Sequence, residues 1–124
     1  MPEKKYALLH KVAQRVFEAA TSDSLGATFH AIISFHLKKK FGKDPYEVFV
    51  DNPALFYNGL KEVIGEGAEA LITLVSTFIK VKYAVDFAIE DIKRLFTGNE
   101  PDSPDKMREL LQMIIVYEEK KLKK

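Results

Sequence analysis

Apolar residues recur three and four apart along almost the whole chain, and strict alternation is nearly absent. That spacing matches the 3.6-residue turn of an α-helix and not the two-residue repeat of a strand. The chain is therefore expected to form helices that hide one face against one another. The punctuation agrees. Asp44-Pro45, Asn52-Pro53 and Ser103-Pro104 each set a side-chain acceptor before a proline, which opens a helix without wasting an N–H. Phe41-Gly42, Gly65-Glu66-Gly67 and the run Thr97-Gly98-Asn99-Glu100-Pro101-Asp102 interrupt them. The expected fold is all-α: a compact array or bundle of five to six helices, forming a single domain over residues 1–124.

The first helix is predicted from Pro2 to Ala20, with Tyr6, Leu9, Val12, Val16 and Ala20 inward and Leu8 beside them. The polar run Thr21-Ser22-Asp23-Ser24 is expected to end it and cap the next. The second helix is predicted from Ser24 to Lys40, with Leu25, Phe29, Ile32, Ile33 and His36 as its stripe and Leu37 alongside. Short helices start at Pro45, reaching Val48 or Phe49, and at Pro53, reaching Ile64. A longer one runs from Gly67 to about Val85, and its pattern allows continuation to Phe96. The last covers Ser103 to about Lys121, with Met107, Leu110, Leu111, Ile114 and Tyr117 inward and a polar, fraying end.

Composition sets outer limits. Hydrophobic residues make up 47% of the 124 positions, enough for a core. The net charge of +1 argues against a chain built mainly to bind polyanions. With no cysteine there are no disulfides, thiolate metal sites or thiol nucleophiles. Lys11 breaks the N-terminal apolar stretch too early for a signal-peptide core. The longest apolar stretch, Ala70 to Ile79, is about half the ~20 residues that cross a bilayer. These features predict a soluble, cytoplasmic protein with no membrane partner.

Two stretches carry a family likeness. Lys39-Lys40-Phe41-Gly42-Lys43-Asp44-Pro45-Tyr46-Glu47-Val48-Phe49-Val50-Asp51-Asn52-Pro53-Ala54-Leu55-Phe56 ends one helix in aromatic-Gly and opens the next at Asn-Pro. Leu60-Lys61-Glu62-Val63-Ile64-Gly65-Glu66-Gly67-Ala68-Glu69-Ala70-Leu71-Ile72 adds a Gly-x-Gly-Ala helix entry. Over roughly residues 24–85 the chain resembles the small archaeal helical domains of the Nitrosopumilus output domain family. That resemblance implies a signalling or regulatory module. It supplies no catalytic residues.

The candidate chemistry is thin. His30 and His36 stand six apart, about 120° around one helix, whereas a helical metal pair needs a spacing of three or four. His10 has only Gln14 one turn on. Asp86 and Glu90 share a helix face in this reading, and pairing with Lys82, Lys93 and Arg94 explains them as surface charges. Gly65-Glu66-Gly67 precedes a helix, but its own carboxylate would repel a phosphate. The aromatic set Phe41, Tyr46, Phe49, Phe56 and Tyr57 reads as packing, with a small apolar pocket as the alternative. No catalytic, cofactor-binding or metal-ligating residue is expected, no cofactor is implied, and the chain is not read as an enzyme.

A non-enzymatic interaction or regulatory module is the favoured function, working through an exposed apolar helix face. A protein partner and a homodimer are expected, the dimer interface falling on Leu71, Leu74, Val75, Phe78 and Ile114, because the helix from Gly67 and the last helix carry more apolar residues than a small monomer easily covers. One alternative is nucleic-acid binding through Lys38, Lys39, Lys40 and Lys43, disfavoured by the scarcity of arginine. The other is a small-molecule-binding helical domain using the aromatic cluster.

Overall fold

The computed structural model describes residues 2–98 and 100–122, and side chains from position 7 onward. The expectations for Tyr6, for Asn99 in its loop and for the last two lysines lie outside the described residues. Within them the protein is all-helical, with seven helices instead of five or six: α1 (Pro2–Leu25), α2 (Ala27–Phe41), α3 (Pro45–Asp51), α4 (Pro53–Ile64), α5 (Gly67–Tyr83), α6 (Ile89–Thr97) and α7 (Ser103–Leu122).

Helices α3 and α4 form as their caps dictate, whereas Ser103, expected as a cap, is the first residue of α7 itself. The Asp44 carboxylate accepts from the Tyr46 N–H at 2.9 Å, and the Asn52 side chain accepts from the Leu55 N–H at 3.2 Å. Pro45 and Pro53 occupy the first turns, where a missing N–H leaves no bond unmade. Gly42 closes α2 in the left-handed region at φ 71, and its N–H reaches the Lys38 carbonyl at 2.9 Å.

Three boundaries differ from the periodicity. The polar run Thr21–Ser24 continues α1 and does not end it. Thr21 is buried and returns its hydroxyl to the Phe17 carbonyl at 2.8 Å, so it serves the helix interior. The turn comes at Gly26, whose φ of 94 few other residues adopt. Second, the helix from Gly67 stops at Tyr83. Ala84 takes a left-handed conformation, φ 49, and the Lys80 ammonium donates to the Val85 carbonyl at 2.9 Å, closing the corner. The pattern beyond Val85 is the separate helix α6. Third, Asp86 consequently lies in the connector between α5 and α6, off the helix that carries Glu90. The expected pairings around them are replaced as well: Lys93 meets Glu69 at 3.1 Å, and Arg94 meets Asp91 at 3.2 Å.

Helices α1 and α4 organise the assembly. α1 packs against α2, α3, α5 and α7, and α4 against α2, α3, α5, α6 and α7. The inward face of α1 is Leu9, Val12, Ala13, Val16, Phe17 and Ala20, all buried. Where α1, α3, α4 and α6 meet, Phe17, Phe49, Phe56 and Phe96 stack edge to face. Phe56 lies 5.4 Å from Phe17 and 5.1 Å from Phe49, and Phe49 lies 5.1 Å from Phe96. Burying each ring contributes roughly 1.5–3 kcal/mol, so this cluster is a main source of cohesion. No helix is long and apolar enough to cross a membrane among the described residues.

Candidate functional site

On helix α2, sequence and burial disagree. From Ser24 to Leu37 the chain contains no Asp, Glu, Lys or Arg. A helix that is apolar all round is ordinarily enclosed on every side. Here only one side is enclosed. His30, Ile33 and Leu37 are buried, and Phe29 and Phe41 are half-buried against the core. Thr28, Ala31, Ile32 and Phe35 face water. Phe35 is 65% exposed and Ile32 is 52% exposed. The predicted stripe is thus corrected: Leu25, Ile32 and His36 point outward, and His30 takes the inward place. α2 packs against α1, α4 and α3, and the line through Ile33 and Leu37 is the one it buries.

The outward line Thr28–Ile32–Phe35 runs at spacings of four and three, so the side chains sit one above another. It ends in lysines. Lys38, Lys39, Lys40 and Lys43 are all exposed. Lys40 turns aside to Glu62 at 2.9 Å. Among the described residues no carboxylate pairs with Lys38, Lys39 or Lys43. The His36 ring stands edge-on to Phe35 at 5.4 Å and extends the outer face toward α4. The whole constitutes a neutral, partly apolar ridge with a cationic end.

The residues expected at a dimer interface are mostly used inside one chain. Leu71, Val75 and Ile114 are buried in the core, while Leu74 and Phe78 are half-buried at its edge. α5 is apolar around most of its circumference because it is central, with α1, α4 and α6 packed on it. Leu74 and Phe78, with Thr77, Val81 and Lys82, border a shallow groove beside Asp23 and Ser24.

The aromatic set is a filled core. Tyr46, Phe49 and Phe56 are buried, with Phe41 and Tyr57 half-buried at the margin, so the rings occupy the space that a pocket would need. A cleft of about 830 Å³ lies elsewhere, between the end of α5, α6 and the start of α7. Its walls carry Asp86, Glu90, Asp91, Glu100 and Glu109 opposed by Lys80, Arg94 and Lys106. No group of three His, Asp or Glu side chains able to hold a metal ion occurs among the described residues.

The inner side of α2 holds a buried polar chain. His30 Nδ1 is 2.9 Å from Thr21 Oγ1, and His30 Nε2 is 3.3 Å from Ser34 Oγ. Ser34 Oγ is 2.9 Å from the Tyr46 hydroxyl. Burial holds the His30 pKa below its ordinary 6.5, opposed by the Glu18 carboxylate, 3.5 Å from Nε2. Burial pushes the Tyr46 hydroxyl up to about 12. In the sequence, His30 is marked only as one of three histidines. Thr21 lies nine positions away on a different helix, and no local pattern marks that pairing.

No protein-family model matches this chain, and no curated protein or solved structure matches it.

Proposed function

We propose that the protein is a non-enzymatic interaction module whose docking face is the outer side of α2. The carrying observation is the uncharged, water-facing line Thr28–Ile32–Phe35 on a helix with no charged residue before Lys38. An exposed Phe and Ile one turn apart lose little by being covered and gain roughly 25 cal/mol per Å² when they are. The lysines at the end of the line define the partner. Lys38, Lys39 and Lys43 lack carboxylate partners among the described residues, so the complement is an amphipathic helix with an apolar stripe and Asp or Glu at one end. The resemblance to signal-output domains points to the same class of role.

Affinity selection from a displayed library of random helical peptides tests this. Wild-type protein is expected to enrich peptides that combine apolar residues at i, i+4 and i+7 with a local excess of Asp or Glu. Phe35→Asp is expected to abolish their capture, and Lys38→Glu/Lys39→Glu to weaken it in a salt-dependent way. Enrichment of neutral or basic peptides, or equal capture by Phe35→Asp, would overturn the proposal. Light scattering of the same samples reports whether a second copy takes the face: a dimer that Phe35→Asp converts to monomer replaces the acidic helix as the occupant.

One observation favours a second reading, in which a single-stranded nucleic acid tracks the three lysines and stacks a base on Phe35. Anisotropy of a labelled oligonucleotide at low salt tests it. Binding lost in Lys38→Glu/Lys39→Glu, and weakening steeply with salt, supports that reading, and no binding removes it.

A further inference from the structure

Hydrogen-bond bookkeeping gives the chain through His30 a direction. Thr21 has one hydroxyl proton and donates it to the Phe17 carbonyl at 2.8 Å. At His30, 2.9 Å away, Thr21 Oγ1 therefore accepts, and Nδ1 must carry the imidazole proton. In a neutral ring Nε2 is then an acceptor. Ser34 donates to it, and Ser34 Oγ in turn accepts from the Tyr46 hydroxyl. The order is Tyr46 to Ser34 to His30 to Thr21 to the Phe17 carbonyl, with each proton used once. It ties α3 to α2 and α2 to α1.

The arrangement works only with His30 neutral. A proton on Nε2 turns that atom into a donor facing a donor. Ser34 has to reverse and donate to Tyr46, which leaves the phenolic proton without its acceptor in a buried position. A different acceptor waits for Nε2: the Glu18 carboxylate of α1, at 3.5 Å. Glu18 is the charged group acting on His30 from α1, and α2 contributes none. From α3 come the Tyr46 hydroxyl and, acting on it, the Asp44 cap.

We propose that His30 is an acid-sensitive pin: neutral, it links α3 to α2 through Ser34 and Tyr46, and protonated, it hands Nε2 to Glu18 and breaks that link, while α3 stays packed on α1 and α4. The pin is independent of what docks on the opposite side of α2. Because burial lowers the His30 pKa, the folded protein binds this proton less readily than the unfolded chain. The stabilisation is full above about 6.5 and is lost as pH falls from there through the lower folded value. The lock therefore weakens toward acid.

Two measurements on the full chain test the pin. The ¹⁵N shifts of the His30 ring at neutral pH are expected to report the Nδ1–H tautomer, and to titrate below 6.5. Hydrogen exchange, corrected for its intrinsic pH dependence, is expected to speed up at the α3 amides with the same midpoint. In His30→Asn, which stays neutral, that acceleration disappears, whereas His36→Gln on the outer face retains it. An Nε2–H tautomer, a midpoint at the α3 amides that does not follow the His30 ring, or the same acceleration in His30→Asn overturns the proposal. Should His30→Asn fail to fold, the coincidence of the two wild-type midpoints decides.

Discussion

Gly59, in the middle of α4, has no room for even one carbon. A Cβ built there would lie 2.4 Å from Cζ of Phe41, so the aromatic end of α2 rests directly on the α4 backbone. Replacing an interior helix glycine with alanine ordinarily adds up to about 1 kcal/mol of helix preference. Here the Phe41 ring must give way, and overpacking of that kind costs about 1–3 kcal/mol. The clash wins: Gly59→Ala is expected to lower stability by about 1 kcal/mol in chemical denaturation. Ala84 presents the opposite case, a left-handed residue with a Cβ. Ala84→Gly is expected to raise stability by roughly 0.5–1 kcal/mol, the relieved strain exceeding the added freedom of the unfolded chain. Neither position was legible beforehand. Gly59 reads as an ordinary residue inside a helix pattern, and its meaning comes from a ring eighteen places earlier in the chain. The His30 pairing with Thr21 is hidden for the same reason, since it exists only once α1 and α2 fold back on one another.

At the level of the element, what sequence conveys well is where helices open. Asp44-Pro45 and Asn52-Pro53 act through atoms two or three residues away, so a local reading suffices. Where helices end is conveyed less well. Thr21–Ser24 looks like a stop, yet a buried Thr with its hydroxyl on the preceding turn belongs equally to a helix interior. The rotation of α2 is conveyed least. Its apolar residues surround the axis, and only the neighbours decide which of them are covered. Adjacent positions should therefore respond oppositely to charge. Ile32→Asp/Phe35→Asp is expected to leave the melting temperature within a few degrees of wild type, since surface changes usually stay within about 0.5 kcal/mol. Ile33→Asp, one residue along and 1% exposed, is expected to unfold the protein or destabilise it by several kcal/mol. Comparable losses from both would mean that α2 is rotated from the position described.

For the whole molecule, the helical period settles the all-α class because it pervades the chain and nothing competes with it. The same period cannot say which apolar surplus is core and which is interface. α5 is apolar on most sides, and α1, α4 and α6 pack against it. α2, packed on α1, α4 and α3, leaves Ile32 and Phe35 exposed on its outer side. The proposed docking function thus rests on one face of one helix. Its most direct test is a map of backbone and methyl NMR shifts as a peptide recovered by selection is titrated to saturation. The predicted footprint is Thr28, Ala31, Ile32, Phe35, Lys38 and Lys39, with the α5 edge from Leu74 to Val81 and the cleft between α5 and α7 unmoved. A footprint centred on either of those two places, with Ile32 and Phe35 silent, would contradict it.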